Sequence, residues 1–269
     1  MASPTFDHLA IGVQRWEDAY PRFAGELGGR WEISGPAGEY APLQMSFGKS
    51  LRLEFIAPDA PDGFMGRFLD RHGPAPHHIT FKVPSLDETT SDLSRLQFDT
   101  FGRRSVHAVW RESFIHPRNT ALGTLVQVVE ADEEAIRRGS AGTTPPAGFP
   151  EPADSAAGPE VALVGVTTPD LRRAHDLLGP GLLGDVLEAG PGWFFATWGS
   201  GRSLLVRDAS AAPILPALWG GSTDPGVSFL LFGPPDMSDL PVAELPRRAR
   251  DLRILPHQSA TGIDVWLLG

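Results

Sequence analysis

The first 131 residues contain one order of elements twice, and that repeat constrains the fold more than any other feature of the chain. Residues 6–13, FDHLAIGV, read as a strand. Residues 16–27 read as an amphipathic helix, because Trp16, Ala19, Tyr20, Phe23 and Leu27 recur at helical spacing. Gly28 and Gly29 end it. Strands are expected at 30–34, 43–48 and 51–57, the last alternating Leu51, Leu53 and Phe55 against Arg52 and Glu54. A connector follows, with a short helix over 64–71. The order then returns: a strand at 77–83, a helix at 86–96 with Leu86, Leu93 and Leu96 on one face, and strands at 98–103, 109–116 and 124–130. The expected fold class is therefore α+β, built from tandem βαβββ units.

Polar residues mark the same repeat. His8 lies in the first strand of unit one and Glu54 in its last strand; His78 and Gln127 hold the matching places in unit two. Each is a polar residue among apolar neighbours. A single strand histidine is most often a hydrogen-bonded structural residue, and a single strand glutamate most often faces solvent. Four polar residues at matched repeat positions are harder to explain that way.

Residues 137–158, RRGSAGTTPPAGFPEPADSAAG, cannot bury a core and read as a Pro/Gly-rich linker. They divide the chain into domains over 1–136 and 159–269. Composition removes several functions. The chain has no Cys, so disulfides, thiolate ligands and cysteine nucleophiles are excluded. No apolar run reaches 18 residues, and the N-terminus MASPTFDHLAIGV lacks a signal-peptide pattern, so no membrane span and a cytoplasmic location are expected. A net charge of −10 argues against a nucleic-acid partner.

The stretches FDHLAIGV, LRLEFIAP, PHHITFKV and FIHPRNTALGTLVQVVE resemble the vicinal oxygen chelate, or glyoxalase/bleomycin-resistance, superfamily, and within it the methylmalonyl-CoA epimerases. The resemblance implies that each pair of units forms a curved eight-stranded, mixed or antiparallel cup, and that the cup holds one divalent metal. It implies His8, Glu54, His78 and Gln127 as the metal residues. Two departures stand out: the carboxylate and amide are exchanged between the units, and the third-strand glutamate of the epimerases matches Gln44.

Imidazole and carboxylate donors suit Fe, Zn, Mn, Co or Ni. Gln127 offers a weak neutral oxygen, or a hydrogen bond to a metal-bound water. Glu54, Glu39 and His116 are the candidate catalytic groups. The second half reads as a degenerate copy: VALVGVTTPDLRRAHDLLG, GRSLLVRD, GVSFLLFGPP and ILPHQSATGIDVWLLG echo the first. It places Leu163, Leu205, Ser228 and Trp266 at the four ligand positions, so no metal is expected there.

The function expected from the resemblance is a divalent-metal-dependent isomerase or lyase. It would act on a small oxygen-rich molecule through a metal-bound enolate or alkoxide. Two alternatives stand beside it: an Fe(II) extradiol-type dioxygenase, because two His and one carboxylate form the facial triad of such enzymes, and a metal-free protein that binds a drug or metabolite. The expected partner is a small-molecule substrate, and the expected state is a monomer or homodimer.

Overall fold

The computed structural model describes residues 3–60, 62–106, 109–140, 143–150, 158–199, 202–212, 216–219, 223–235, 244–248 and 251–268. Eight strands make the first sheet: β1 (Thr5–Gly12), β2 (Arg30–Ser34), β3 (Tyr40–Ser46), β4 (Arg52–Pro58), β5 (Ala75–Lys82), β6 (Thr100–Val106), β7 (Trp110–Ile115) and β8 (Leu125–Ala131). Seven make the second: β9 (Glu160–Thr168), β10 (Asp185–Gly190), β11 (Trp193–Thr197), β12 (Ser203–Asp208), β13 (Gly226–Gly233), β14 (Leu252–Gln258) and β15 (Ile263–Leu268).

The sheet orders are β2-β3-β4-β1-β5-β8-β7-β6 and β10-β11-β12-β9-β13-β15-β14. In both, the first strand of unit one lies antiparallel to the first strand of unit two, and each of these runs parallel to the last strand of its own unit. The second sheet repeats the strand order of the first over seven strands; among the described residues it has no counterpart of β6, so the second cup is seven-stranded where eight strands were expected. Among the described residues, no helix is long and apolar enough to cross a membrane.

The three helices that the sequence predicts in the first half are present, one of them in altered form. The stretch expected as a single helix over 16–27 is a 3₁₀ turn at Trp16–Asp18 followed by a π-helical segment at Tyr20–Glu26. Pro21 lacks an N–H and crowds the residue before it, so the break falls at its N-terminal side. Helix α1 (Phe64–His72) closes one end of the first cup, its Met65 and Leu69 packing on Ala10 of β1 and Ile56 of β4. Helix α2 (Leu86–Arg95) starts on Ser85, whose side chain accepts from the Glu88 N–H. After the single turn α3 (Pro117–Thr120), α4 (Glu133–Gly139) runs three residues into the segment expected as linker. Within that segment Phe149 meets Tyr20 edge-on at 5.1 Å; residues 141–142 and 151–157 lie outside the described set.

The two sheets share one apolar core. Phe47 packs against Phe232 at 5.1 Å, and Phe81 against Trp198 at 4.8 Å. Reciprocal contacts flank this core. Arg22 donates to the Pro256 carbonyl across the junction, and Arg173 donates to the Asn119 carbonyl in the opposite direction. Two glycine turns are inserted the same way. A Cβ on Gly123 would fall 2.3 Å from the Pro225 carbonyl carbon, and one on Gly262 would fall 1.6 Å from the Pro74 carbonyl oxygen.

Both glycines also have positive φ, which side chains rarely adopt (Gly123 +66°, Gly262 +60°). Gly262→Ala is therefore expected to cost about 1–3 kcal/mol, since it combines a left-handed backbone with a clash against main chain. Urea unfolding checks this. Gly139→Ala, in helix α4 with open space around the added methyl, is the comparison variant and is expected to gain about 0.4–1 kcal/mol.

In the second half, Leu163, Leu205 and Trp266 fall in one buried apolar cluster with Trp219 and Phe229. Its cup is filled by side chains.

Candidate metal centre

The central strands β1 and β5 each carry one extra residue beside a histidine. Along their pairing Phe6 faces Phe81 and His8 faces Thr80, so Asp7 is the bulged residue; Ala10 faces His78 and Ile11 faces Pro76, so His77 is the other. A bulge bends the strand and re-aims side chains. Here it turns neighbours toward each other: Asp7 Oδ2 lies 2.8 Å from His8 Nδ1, and the Nδ1 atoms of His77 and His78 are 2.8 Å apart. Strict alternation puts His77 on the far face; the bulge instead sets its ring against His78.

His8, Glu54 and His78 converge in the first cup, their ligand atoms all within 4.8 Å of one another. Glu54 Oε2 is 3.6 Å from His8 Nε2 and 3.8 Å from His78 Nε2. All three residues are buried. Gln44 donates to Glu54 Oε1 at 3.0 Å and so turns Oε2 toward the two imidazoles. The residue that replaces an expected acid therefore orients the one that remains.

The ionised Asp7 accepts the Nδ1–H of His8, which leaves His8 Nε2 as a lone pair. Burial, with the neighbouring His77 and His8, pushes His78 well below the usual histidine range, so its ring is neutral. His78 Nε2 is buried and has no hydrogen-bond partner. Leaving such an atom unsatisfied costs about 1–3 kcal/mol. Thr80 shows a related shortfall: its hydroxyl lies 2.6 Å from Gln127 Oε1 and 2.9 Å from His8 Nε2, and it has a single proton for two acceptors. A divalent ion taking the lone pairs of His8 and His78 answers both, so the residues present fit a metal. At metal–ligand bonds of about 2.1 Å, neighbouring donors sit roughly 3.0–3.4 Å apart, so the two Glu54–imidazole distances close by a few tenths of an ångström.

Around these residues opens a cleft of ≈ 2010 Å³. Tyr40 and Phe64 stand at the α1 end, Phe114 near the middle, and Arg52, Lys82 and Glu133 at the α4 end. Burial and the nearby Glu54 and Glu112 push Tyr40 up to about 12, so its hydroxyl keeps its proton at neutral pH.

Gln127 also lines the cleft. Glu39 and His116 do not. The Glu39 carboxylate accepts from the Phe64 N–H at the start of α1, and His116 is exposed and caps α3 through the Arg118 N–H. Sequence reasoning missed Glu112 and Thr80. Glu112 is a buried carboxylate on β7 that receives Gln127 Nε2 and Trp110 Nε1, each at 2.7 Å, and Arg104 Nε. The alternation Trp110, Glu112, Phe114 marks one face of the strand, but only register shows that this face is the cup.

Residues 7–112 match the family model of the Glyoxalase/Bleomycin resistance protein/Dioxygenase superfamily. The match lies within the N-terminal half. Among solved structures, methylmalonyl-CoA epimerase from Mycobacterium tuberculosis aligns at 23% identity and a TM-score of 0.45, over 49% of this chain and 91% of that one. A hypothetical protein from Bacillus halodurans aligns at 22% and 0.45, over 49% and 97%. Streptomyces coelicolor methylmalonyl-CoA epimerase aligns at 17% and 0.44, over 48% and 99%. At these values the likeness carries nothing about activity. No curated protein sequence matches the chain.

Proposed function

We propose that the chain is a divalent-metal-dependent enzyme of isomerase or lyase type that acts on a small oxygen-rich molecule. His8, Glu54 and His78 hold the ion, and Gln127 contributes at most a weak fourth oxygen. The convergence of these three buried ligand groups, with His78 Nε2 left unpartnered, is the observation that carries the reading. When bound, the ion supplies Lewis-acid stabilisation of negative charge on a substrate oxygen. The chain's own groups do the rest. Glu112 is committed to three donors, so Glu54, once detached from the ion, is the cup carboxylate able to take a proton from carbon. The Tyr40 hydroxyl is a donor for a substrate oxygen.

In this reading residues 1–136 carry the chemistry, and residues 159–269, with their filled cup and reciprocal contacts, brace the first half. A second reading has specific support: two His and one carboxylate are the ligands of non-haem Fe(II) oxygenases. Metal analysis of the purified protein, with oxygen uptake followed on a catechol, separates the two. Zn, Mn, Co or Ni without oxygen use supports the isomerase or lyase. Iron with oxygen uptake supports the dioxygenase. Absence of any metal after loading, with ligand affinity unchanged in His8→Ala, leaves a metal-free binding protein.

A further inference from the structure

We propose that Glu112 is a positioning residue of the metal centre: it holds the Gln127 amide with its oxygen, and not its nitrogen, toward the ion. The inference rests on the metal reading above.

Glu112 is 1% exposed, yet it is not left to pay for its charge alone. Arg104 Nε donates to Oε1, while Trp110 Nε1 and Gln127 Nε2 donate to Oε2. An ionised carboxylate only accepts. Gln127 must therefore turn its NH₂ to Glu112, which sends its Oε1 the other way. There it accepts from the Thr80 hydroxyl, itself beside His8 Nε2. Carboxylate, amide, hydroxyl and imidazole form one chain running from the cup wall into the centre, and the acceptor-only end fixes the direction of the links from Glu112 through Gln127 to Thr80.

The two ends of an amide are nearly the same shape, so packing alone does not choose between them. Reversed, Gln127 would aim N–H donors at a cation and at the Thr80 hydroxyl, and would set its oxygen against the Glu112 carboxylate. Glu112 forbids that orientation. Arg104 extends from this carboxylate to the mouth of the cleft, where its guanidinium also lies 3.5 Å from the Tyr40 hydroxyl. The anchor therefore also ties the mouth of the cleft to the metal-facing amide.

Glu112→Gln tests this, because a glutamine there can donate as well as accept and no longer dictates how Gln127 lies. Metal-stripped full-length protein is titrated with Co²⁺ by calorimetry, and the visible cobalt spectrum is recorded. Glu112→Gln is expected to weaken Co²⁺ binding about tenfold or more and to alter the spectrum, as loss of a group supporting a metal ligand does. In a Gln127→Ala background the same substitution should change affinity less than about twofold, because the residue through which it acts is gone. If Glu112→Gln does not fold, Glu112→Asp keeps the charge for Arg104, shortens the reach to Gln127, and carries the same comparison.

Wild-type affinity in the folded single variant would overturn the proposal. An equal loss with and without Gln127 would also overturn it, by showing that Glu112 acts through its charge alone. If the wild type binds no Co²⁺, the metal reading itself fails and takes the proposal with it.

Discussion

Replacing His78 with Ala is expected to weaken divalent-metal binding more than about hundredfold. Losing a group that merely supports a ligand costs roughly 10–100-fold in metal affinity, and His78 supplies a donor atom directly. Its Nε2 is buried without a hydrogen-bond partner and is aimed toward Glu54 Oε2. For the metal-free fold the imidazole is a mixed asset: it fills space between His8 and Phe114, but it also carries the cost of an unsatisfied atom. The metal-free variant is therefore expected to remain folded by circular dichroism, which separates lost affinity from lost structure. Metal retained after dialysis reads the effect. Retention equal to wild type in the folded variant would show that His78 is a packing residue.

The second large effect is expected at Asp7. This buried carboxylate pairs with Arg52, with Lys82 at 3.1 Å and with His8. Asp7→Asn keeps the shape and removes the charge, leaving two cations facing a neutral group. Breaking a buried pair by removing one partner typically costs about 3–5 kcal/mol. Arg52 and Lys82 keep Glu32 and Glu133 as second partners, which points to the lower end, about 3 kcal/mol.

The pH dependence follows from the same contacts. Burial alone would raise the Asp7 pKa. The His8 hydrogen bond and the charges of Lys82 and Arg52 outweigh burial and hold the carboxyl well below its ordinary value of 3.8. A depressed carboxyl stabilises the fold at pH values above its unfolded pKa and loses that contribution as pH falls below it. The gap between wild type and Asp7→Asn should thus be constant near neutrality and narrow below about pH 4. Chemical denaturation at pH 7, 5 and 3 measures it; a gap that widens in acid would reverse the assignment. Asp7→Asn should also weaken metal binding 10–100-fold, because the Asp7 carboxylate fixes the tautomer of His8.

Much of this architecture was legible from residue order. The doubled βαβββ pattern placed the strands, and the matched His8, Glu54, His78 and Gln127 all face one cup. What escaped was whatever depends on departures from period two or on register. Asp7 and His77 each adjoin a histidine in sequence, and a regular strand would send each pair to opposite faces. Only the two bulges bring them together. Glu112 and Thr80 sit in ordinary-looking strand segments. Their importance comes from the pairing of β7 with β8 and of β5 with β1, which lets each reach a neighbour's side chain. Glu39 and His116, candidate catalytic groups in the sequence, each accept a backbone N–H at a helix start. Gln44, read from the resemblance as a lost acid, turns out to be the donor that aims Glu54.

The most direct measurement is a Co²⁺ titration of metal-stripped wild type, His8→Ala and His78→Ala, followed by calorimetry and in the visible spectrum. One ion bound per wild-type chain, and loss of that binding in both folded variants, is the expected result. No binding by the wild type, or one ion bound with equal affinity by all three proteins, would contradict a metal centre built on His8, Glu54 and His78.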